Sequence, residues 1–360
     1  MIVMNCFGSP NSSRHGSPGV LVVARSPISE ARLQAAAAAK RIHRALDMQQ
    51  RVSEMGGQID VFEAIAELDI ALIFKPLSSA LGLCLPNPLR GIMVTTKRTL
   101  QIQRFTAAHE LGHVTLDHRG SIDKEILERG PLGPSGGRDI QEVEADAFAA
   151  EFLLPRWLYR YHIRAQDWTL GHLKNPDIVY QLSLRMGASY DATCWGLLGH
   201  QILQRADVDV LRKEKVATLK GRLGEDHRPG NSWADVLKIT EKDEGTTLTG
   251  DPDDLIRVEL EEAASSGYRW STKELLEAGY EILTDSSMFS REPLLYGASS
   301  RRKLIARPPG FGTTILELRE TQSWRDPEPS DSTFAVQLSL YGKETGGHSR
   351  ADWRRRGVPR

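Results

Sequence analysis

From about residue 253 to residue 340 the apolar side chains fall at every second position, a spacing no helix can satisfy. Ile256, Val258 and Leu260 alternate with Arg257, Glu259 and Glu261. Leu316 and Leu318 alternate with Glu317 and Arg319, and Phe334, Val336, Leu338 and Leu340 repeat the pattern. A period of two buries one face of a strand and leaves the other in water. Such runs, divided by Gly, Pro and Ser turns, predict an all-β sandwich over residues 250–342.

Upstream the texture is helical. Ala35 to Ala39 sit inside a helix expected over 29–50. Asp60 is a good N-cap for a second helix. Residues 70–74, 81–85 and 91–96 read as short strands of a small antiparallel sheet. A long helix over 100–118 is followed by a Gly/Pro-rich loop over 120–139. The next helix, 141–154, stops at Pro155. Further helices are expected at 156–165, 175–187 and 189–199, and a basic one at 211–222, read as a solvated face. The expected fold class is α+β, a mainly helical domain followed by a β-sandwich. Its divisions are a disordered tail (1–28), a first domain (29–225), a polar linker (226–249), the sandwich, and a basic disordered tail (343–360). The stretch from Gly346 to Arg360 carries five arginines against one aspartate.

Two domains suit 360 residues. Lys plus Arg is 46 and Asp plus Glu is 47, so the net charge of −1 gives no basic field for direct nucleic-acid binding. No apolar run approaches the ~18 residues that span a bilayer, so no membrane partner is expected. Three scattered cysteines, Cys6, Cys84 and Cys194, form neither a disulfide framework nor a thiolate metal site. With no secretory signal in the first residues, the expected location is cytoplasmic.

Chemistry concentrates in His109-Glu110-Leu111-Gly112-His113, in the middle of the 100–118 helix. Histidines four apart lie on one helical face, where both can reach a single zinc ion, and Glu110 is placed to contact a metal-bound water. A catalytic zinc takes a third protein ligand and keeps an open position. Glu142 and Glu144 open the next long helix and point about 200° apart. Glu142 is preferred because Asp146 follows it by four residues, on the same face. Such a pair can offer one carboxylate to the metal and a second to a ligand histidine's outer N–H. Glu144, with Phe148 four residues on, is read as packed against protein. His118 is read as structural, and Tyr159 and Tyr161 as surface or core aromatics. The other histidines, among them His43, His162 and His348, are read as surface or core residues.

The stretch from Arg104 to His113, followed by Glu142-Val143-Glu144-Ala145-Asp146-Ala147-Phe148-Ala149-Ala150-Glu151-Phe152-Leu153-Leu154-Pro155, resembles the ImmA/IrrE family of metallo-endopeptidases. The helix begun by Asp60, the Gly91-Ile92-Met93 strand and the stretch from Leu182 to Ser189 fit it too, over about residues 30–222. The resemblance implies a zincin-like peptidase domain. In it His109, His113 and Glu142 hold one zinc, with manganese as the alternative metal, and Glu110 is the catalytic base. The implied activity is limited proteolysis of a regulatory protein such as a helix-turn-helix repressor, in transcription regulation or stress response.

In the sandwich, Ser265-Ser266-Gly267-Tyr268-Arg269-Trp270 resembles the first loop of chagasin-like inhibitors of papain-type cysteine peptidases. Gly297-Ala298-Ser299-Ser300 and Gln322-Ser323-Trp324-Arg325 stand where the second and third loops would be. The resemblance implies an immunoglobulin-like sandwich with Gly267, Tyr268 and Trp324 in partner-binding loops at one end. The partner would be a cysteine peptidase or a substrate. The first loop has no Asn-Pro start, and Gln322-Ser323 stands where that family has Arg-Pro. An alternative follows: an interaction or inhibitor protein acting on a cysteine peptidase, with the first domain as sensor.

Overall fold

The computed structural model describes residues 26–85, 90–118, 122–123, 139–289, 300–322, 324, 328 and 331–356. Most of the expected N-terminal tail, most of the 120–139 loop and positions 297–299 lie outside them.

Helix α1 (Pro27–Ala45) starts where the Ser26 hydroxyl accepts the Ser29 amide. Its buried stripe is Ala31, Ala35, Ala38, Ala39 and Ile42, and these small side chains let it lie close to a neighbouring helix. The helix expected to reach residue 50 instead breaks at Asp47, which takes a left-handed conformation (φ 48°) before α2 (Met48–Met55). Asp60 caps α3 (Val61–Glu67) as expected, its Oδ1 accepting the amides of Phe62 and Glu63. Strands β1 (Ala71–Lys75), β2 (Gly82–Leu85) and β3 (Gly91–Thr95) precede α4 (Leu100–Thr115). After a short β4 (Ile122–Asp123) come α5 (Ile140–Leu153), α6 (Arg156–Ala165), α7 (Pro176–Met186) and α8 (Tyr190–Gly199). The expected basic helix is two short ones, α9 (Arg205–Leu211) and α10 (Val216–Gly224).

The second domain contains β5 (Val236–Thr240), β6 (Thr247–Gly250), β7 (Leu255–Glu262), β8 (Tyr268–Ser271), α11 (Lys273–Glu277), β9 (Glu281–Phe289), β10 (Ser300–Arg307), β11 (Gly312–Gln322) and β12 (Thr333–Leu340). They form two four-stranded sheets, β5-β7-β10-β9 and β6-β12-β11-β8. The alternating residues Ile256, Val258, Leu260, Leu316, Leu318, Phe334, Val336, Leu338 and Leu340 meet between the sheets as the core. The chain then returns to the first domain as β13 (Gly347–His348) and α12 (Arg350–Arg356).

Three expectations are corrected. The first sheet runs β13-β1-β3-β2-β4 and is mixed, because β1 and β3 pair in parallel; hydrophobic spacing carries no information on strand direction. Residues 226–249 are no simple linker: β5 pairs in parallel with β7, and β6 with β12. Residues 343–356 are ordered: β13 pairs with β1, and the Ala351 side chain is buried in the first domain's core. Three of the four arginines there are paired, Arg350 with Glu344, Arg356 with Asp352, and Arg354 with Asp60 and Glu63.

The two domains are tightly joined. Arg185 on α7 grips both carboxylate oxygens of Asp243 at 2.8 Å, with both side chains almost wholly buried. The Gln181 amide behaves like a peptide unit at the edge of β5, donating to the Val236 carbonyl and accepting the Lys238 amide, each at 2.8 Å. The fully buried Gln103 on α4 does the same with Glu344, donating to its carbonyl and accepting its amide at 2.8 Å.

Candidate metal centre

His109, Glu110 and His113 are fully buried on α4. Two glycines set the distances around them. A β-carbon on Gly112 would stand 3.2 Å from Ala145 Cα and Phe148 Cβ, tighter than ordinary contact, so Gly lets α4 and α5 lie this close without a shift. That approach brings Glu142, in the first turn of α5, to the two imidazoles. A β-carbon on Gly82 would stand 2.5 Å from Thr106 Cγ2 and 2.7 Å from Glu110 Oε1. The backbone of β2 thus lies flat against α4 at the Glu110 carboxylate.

His109 Nε2 is 3.1 Å from His113 Nε2 and 3.4 Å from Glu142 Oε2, and His113 Nε2 is 3.5 Å from Glu142 Oε1. A tetrahedral zinc about 2.0–2.1 Å from each ligand requires ligand atoms roughly 3.3–3.4 Å apart. The donor set therefore fits such an ion in both chemistry and spacing, and among the described residues it is the one group of three or more His, Cys, Asp or Glu with metal-ligand spacing.

The outer nitrogens are held as well. His109 Nδ1 and Asp146 Oδ1 are 3.1 Å apart. His113 Nδ1 lies 2.9 Å from His118 Nδ1, and His118 Nε2 lies 2.9 Å from Glu144 Oε2. Burial works to lower the His109 pKa, but the carboxylates of Asp146 and Glu142 outweigh it and raise it. Burial and the neighbouring His109 charge hold His113 well below its usual range, against the pull of Glu142.

His109, Glu110, His113, Glu142 and Asp146 come together as expected. His118 and Glu144 join them, which the sequence reading missed. Helical angle placed His118 on the far side, but α4 ends at Thr115 and the chain turns at Asp117 (φ 54°), so the angle does not apply. Its position just past a helix end was the available signal. Tyr159 is buried, donating to the Thr193 carbonyl at 3.1 Å, in keeping with a core aromatic.

At the sandwich end, Gly267 takes a left-handed conformation (φ 78°), and the Trp324 ring lies across it where a β-carbon would be. Gln322 Nε2 donates to the Ser266 carbonyl at 2.9 Å, tying the first and third loops together. Trp324 is 69% exposed with the whole chain in place. Tyr268 beside it is half-buried and pairs with Gln322 across β8 and β11. Trp270 is instead a core residue, its Nε1 donating to the Glu261 carbonyl at 2.7 Å. Below the loops the buried Glu262 carboxylate accepts from the Trp270 amide, Arg269, Ser287 and Ser300.

Comparison with known proteins separates the same two parts. Residues 65–197 match the family model of the IrrE N-terminal-like domain, a peptidase family. Residues 251–338 match that of the chagasin family peptidase inhibitor I42. Amoebiasin-2 of Entamoeba histolytica is 27% identical over 118 residues, covering 30% of this chain and 89% of that protein. The crystal structure of the cysteine protease inhibitor EhICP2 from Entamoeba histolytica is 23% identical and covers 29% of this chain and 95% of that one, with a TM-score of 0.25. The structure of PbICP-C in complex with falcipain-2 is 17% identical and covers 30% of this chain and 90% of that one, with a TM-score of 0.18. This chain thus joins an IrrE-like, metallopeptidase-like domain to a chagasin-like domain.

Proposed function

We propose that the chain is a zinc-dependent endopeptidase that makes limited cuts in a regulatory protein, with a helix-turn-helix repressor as the substrate class and the cytoplasm as its place of action. The observation that carries this reading is the triangle of His109, His113 and Glu142, with edges of 3.1–3.5 Å, beside the buried carboxylate of Glu110. When bound, zinc supplies Lewis acidity, bringing the pKa of a coordinated water towards ~7 and polarising a carbonyl. Glu110 would take a proton from the attacking water at a carboxylate oxygen and hand it to the leaving amine. Asp146 holds the ring of His109.

A second role belongs to the sandwich, where the exposed Trp324 over Gly267 favours a protein partner outside the chain. Proteins similar to this domain are named as cysteine protease inhibitors, so a papain-type peptidase is one candidate and the substrate is the other.

Glu110→Gln tests the enzymatic reading. It keeps shape and hydrogen bonding but cannot take the proton. The variant is expected to keep its metal, by elemental analysis, and to lose at least ~10²-fold in the rate of cleaving a co-expressed helix-turn-helix repressor. Near-normal cleavage by the variant would sink the assignment. Elemental analysis of the wild type also decides between zinc and manganese.

A further inference from the structure

We propose that Glu144 and His118 form a relay that fixes the tautomer and ring direction of His113, so that each ligand imidazole is oriented by its own carboxylate. The inference rests on the reading of His109, His113 and Glu142 as a metal centre. With Glu144 as carboxylate and His118 as neutral imidazole, the relay assigns its hydrogens in turn. An ionised carboxylate can only accept, so His118 Nε2, 2.9 Å from Glu144 Oε2, carries the hydrogen. A neutral imidazole has one donor and one acceptor nitrogen, so His118 Nδ1 is bare. It accepts from His113 Nδ1 at 2.9 Å, which places that ring's hydrogen on Nδ1. His113 Nε2 is then bare, and it is the atom that faces His109 Nε2 and Glu142.

The backbone is built for this return. Past the end of α4 the chain turns at Asp117, and the His118 amide donates to the His113 carbonyl at 3.0 Å. His113 is fully buried and His118 nearly so, which leaves little room for water to substitute. Asp146 reaches His109 directly. His113 lies one helical turn further along α4, and His118 bridges the gap to the α5 carboxylate. Both are positioning residues that act through His113.

The test uses the full chain, freed of metal. Zinc affinity is read by competition with a chromophoric chelator, and ligand geometry from the visible bands of the cobalt(II) form. His118→Leu is expected to lose ~10–100-fold in zinc affinity and to change the cobalt bands. His118→Gln keeps an acceptor for the His113 Nδ1 hydrogen and is expected to recover most of the loss. Glu144→Gln can donate as well as accept, so it removes the directionality and is expected to weaken zinc in the same direction by less. Thermal unfolding of the metal-free variants checks the fold. Unchanged affinity and cobalt bands in His118→Leu, with metal lost in Glu142→Ala, would overturn the relay and leave the centre standing. Equal losses in His118→Leu and His118→Gln would reduce His118 to a packing residue and overturn the relay too. Metal retained in Glu142→Ala would remove the centre, and the relay with it.

Discussion

Glu142 and Asp146 share a face of α5 because they are four residues apart, and each meets a different part of the same imidazole. Glu142 faces the inner nitrogen of His109 at 3.4 Å, and Asp146 the outer one at 3.1 Å. Losing the first removes a ligand, whereas losing the second only loosens one. Glu142→Ala is therefore expected to emerge from purification without stoichiometric zinc, and Asp146→Ala to bind it ~10–100-fold more weakly; elemental analysis and chelator competition read the two. Both residues were legible in the sequence because they lie inside one regular helix, where spacing gives direction. His118 was not, since it lies beyond the helix end. Trp324, read as part of a partner-binding loop, is exposed, whereas Trp270, left out of that set, is packed against Phe334.

At the level of elements, α1 docks on α5 partly through one polar contact. His43 Nε2 donates to the Phe152 carbonyl at 2.9 Å from a buried position. Burial, only partly offset by that bond, lowers its pKa from 6.5 to about 4. The folded state thus binds this proton less readily than the unfolded chain. The contact's stability is fully present above pH 6.5 and is lost as pH falls towards about 4, a change of about 3 kcal/mol. Urea unfolding at pH 7 and at pH 4.5 is expected to show that loss in the wild type and a smaller one in His43→Gln. Equal acid sensitivity of the two would remove His43 as its source. The helices and the alternating strands of this fold were legible because each carries its own apolar period. β6 and β13 are short and polar, β5 is a five-residue strand inside an otherwise polar stretch, and α12 is mostly arginine. Such pieces take their order from partners distant in sequence, β7, β12, β1 and α3, which no local pattern records.

On the scale of the whole molecule, two hydrophobic cores are joined by buried polar contacts, with Arg185 and Asp243 at the centre. Breaking a pair like this leaves one charge buried and unmatched, which costs about 3–5 kcal/mol, so the sandwich is held in one orientation rather than tethered. Its loop end faces outward, as the exposure of Trp324 requires. Trp324→Ala is expected to change folding stability by less than about 0.5 kcal/mol. The same change should weaken capture of the protein partner by about 2 kcal/mol or more. Calorimetric titration against papain and against the repressor identifies which partner loses affinity, and no loss with either would remove Trp324 from the binding surface. The Gln103–Glu344 pairing reaches further, into the order in which the chain is made. α4 emerges from the ribosome long before Glu344 does, and until then Gln103 has the Thr95 carbonyl at 3.1 Å but lacks both of its bonds to Glu344. A chain halted before Lys343 should be cut quickly by an added protease within the α4 region, and one extended through α12 should resist. The first domain, although made first, is then completed last, because Gln103, β1 and α3 gain their C-terminal partners only once β13 and α12 have been made.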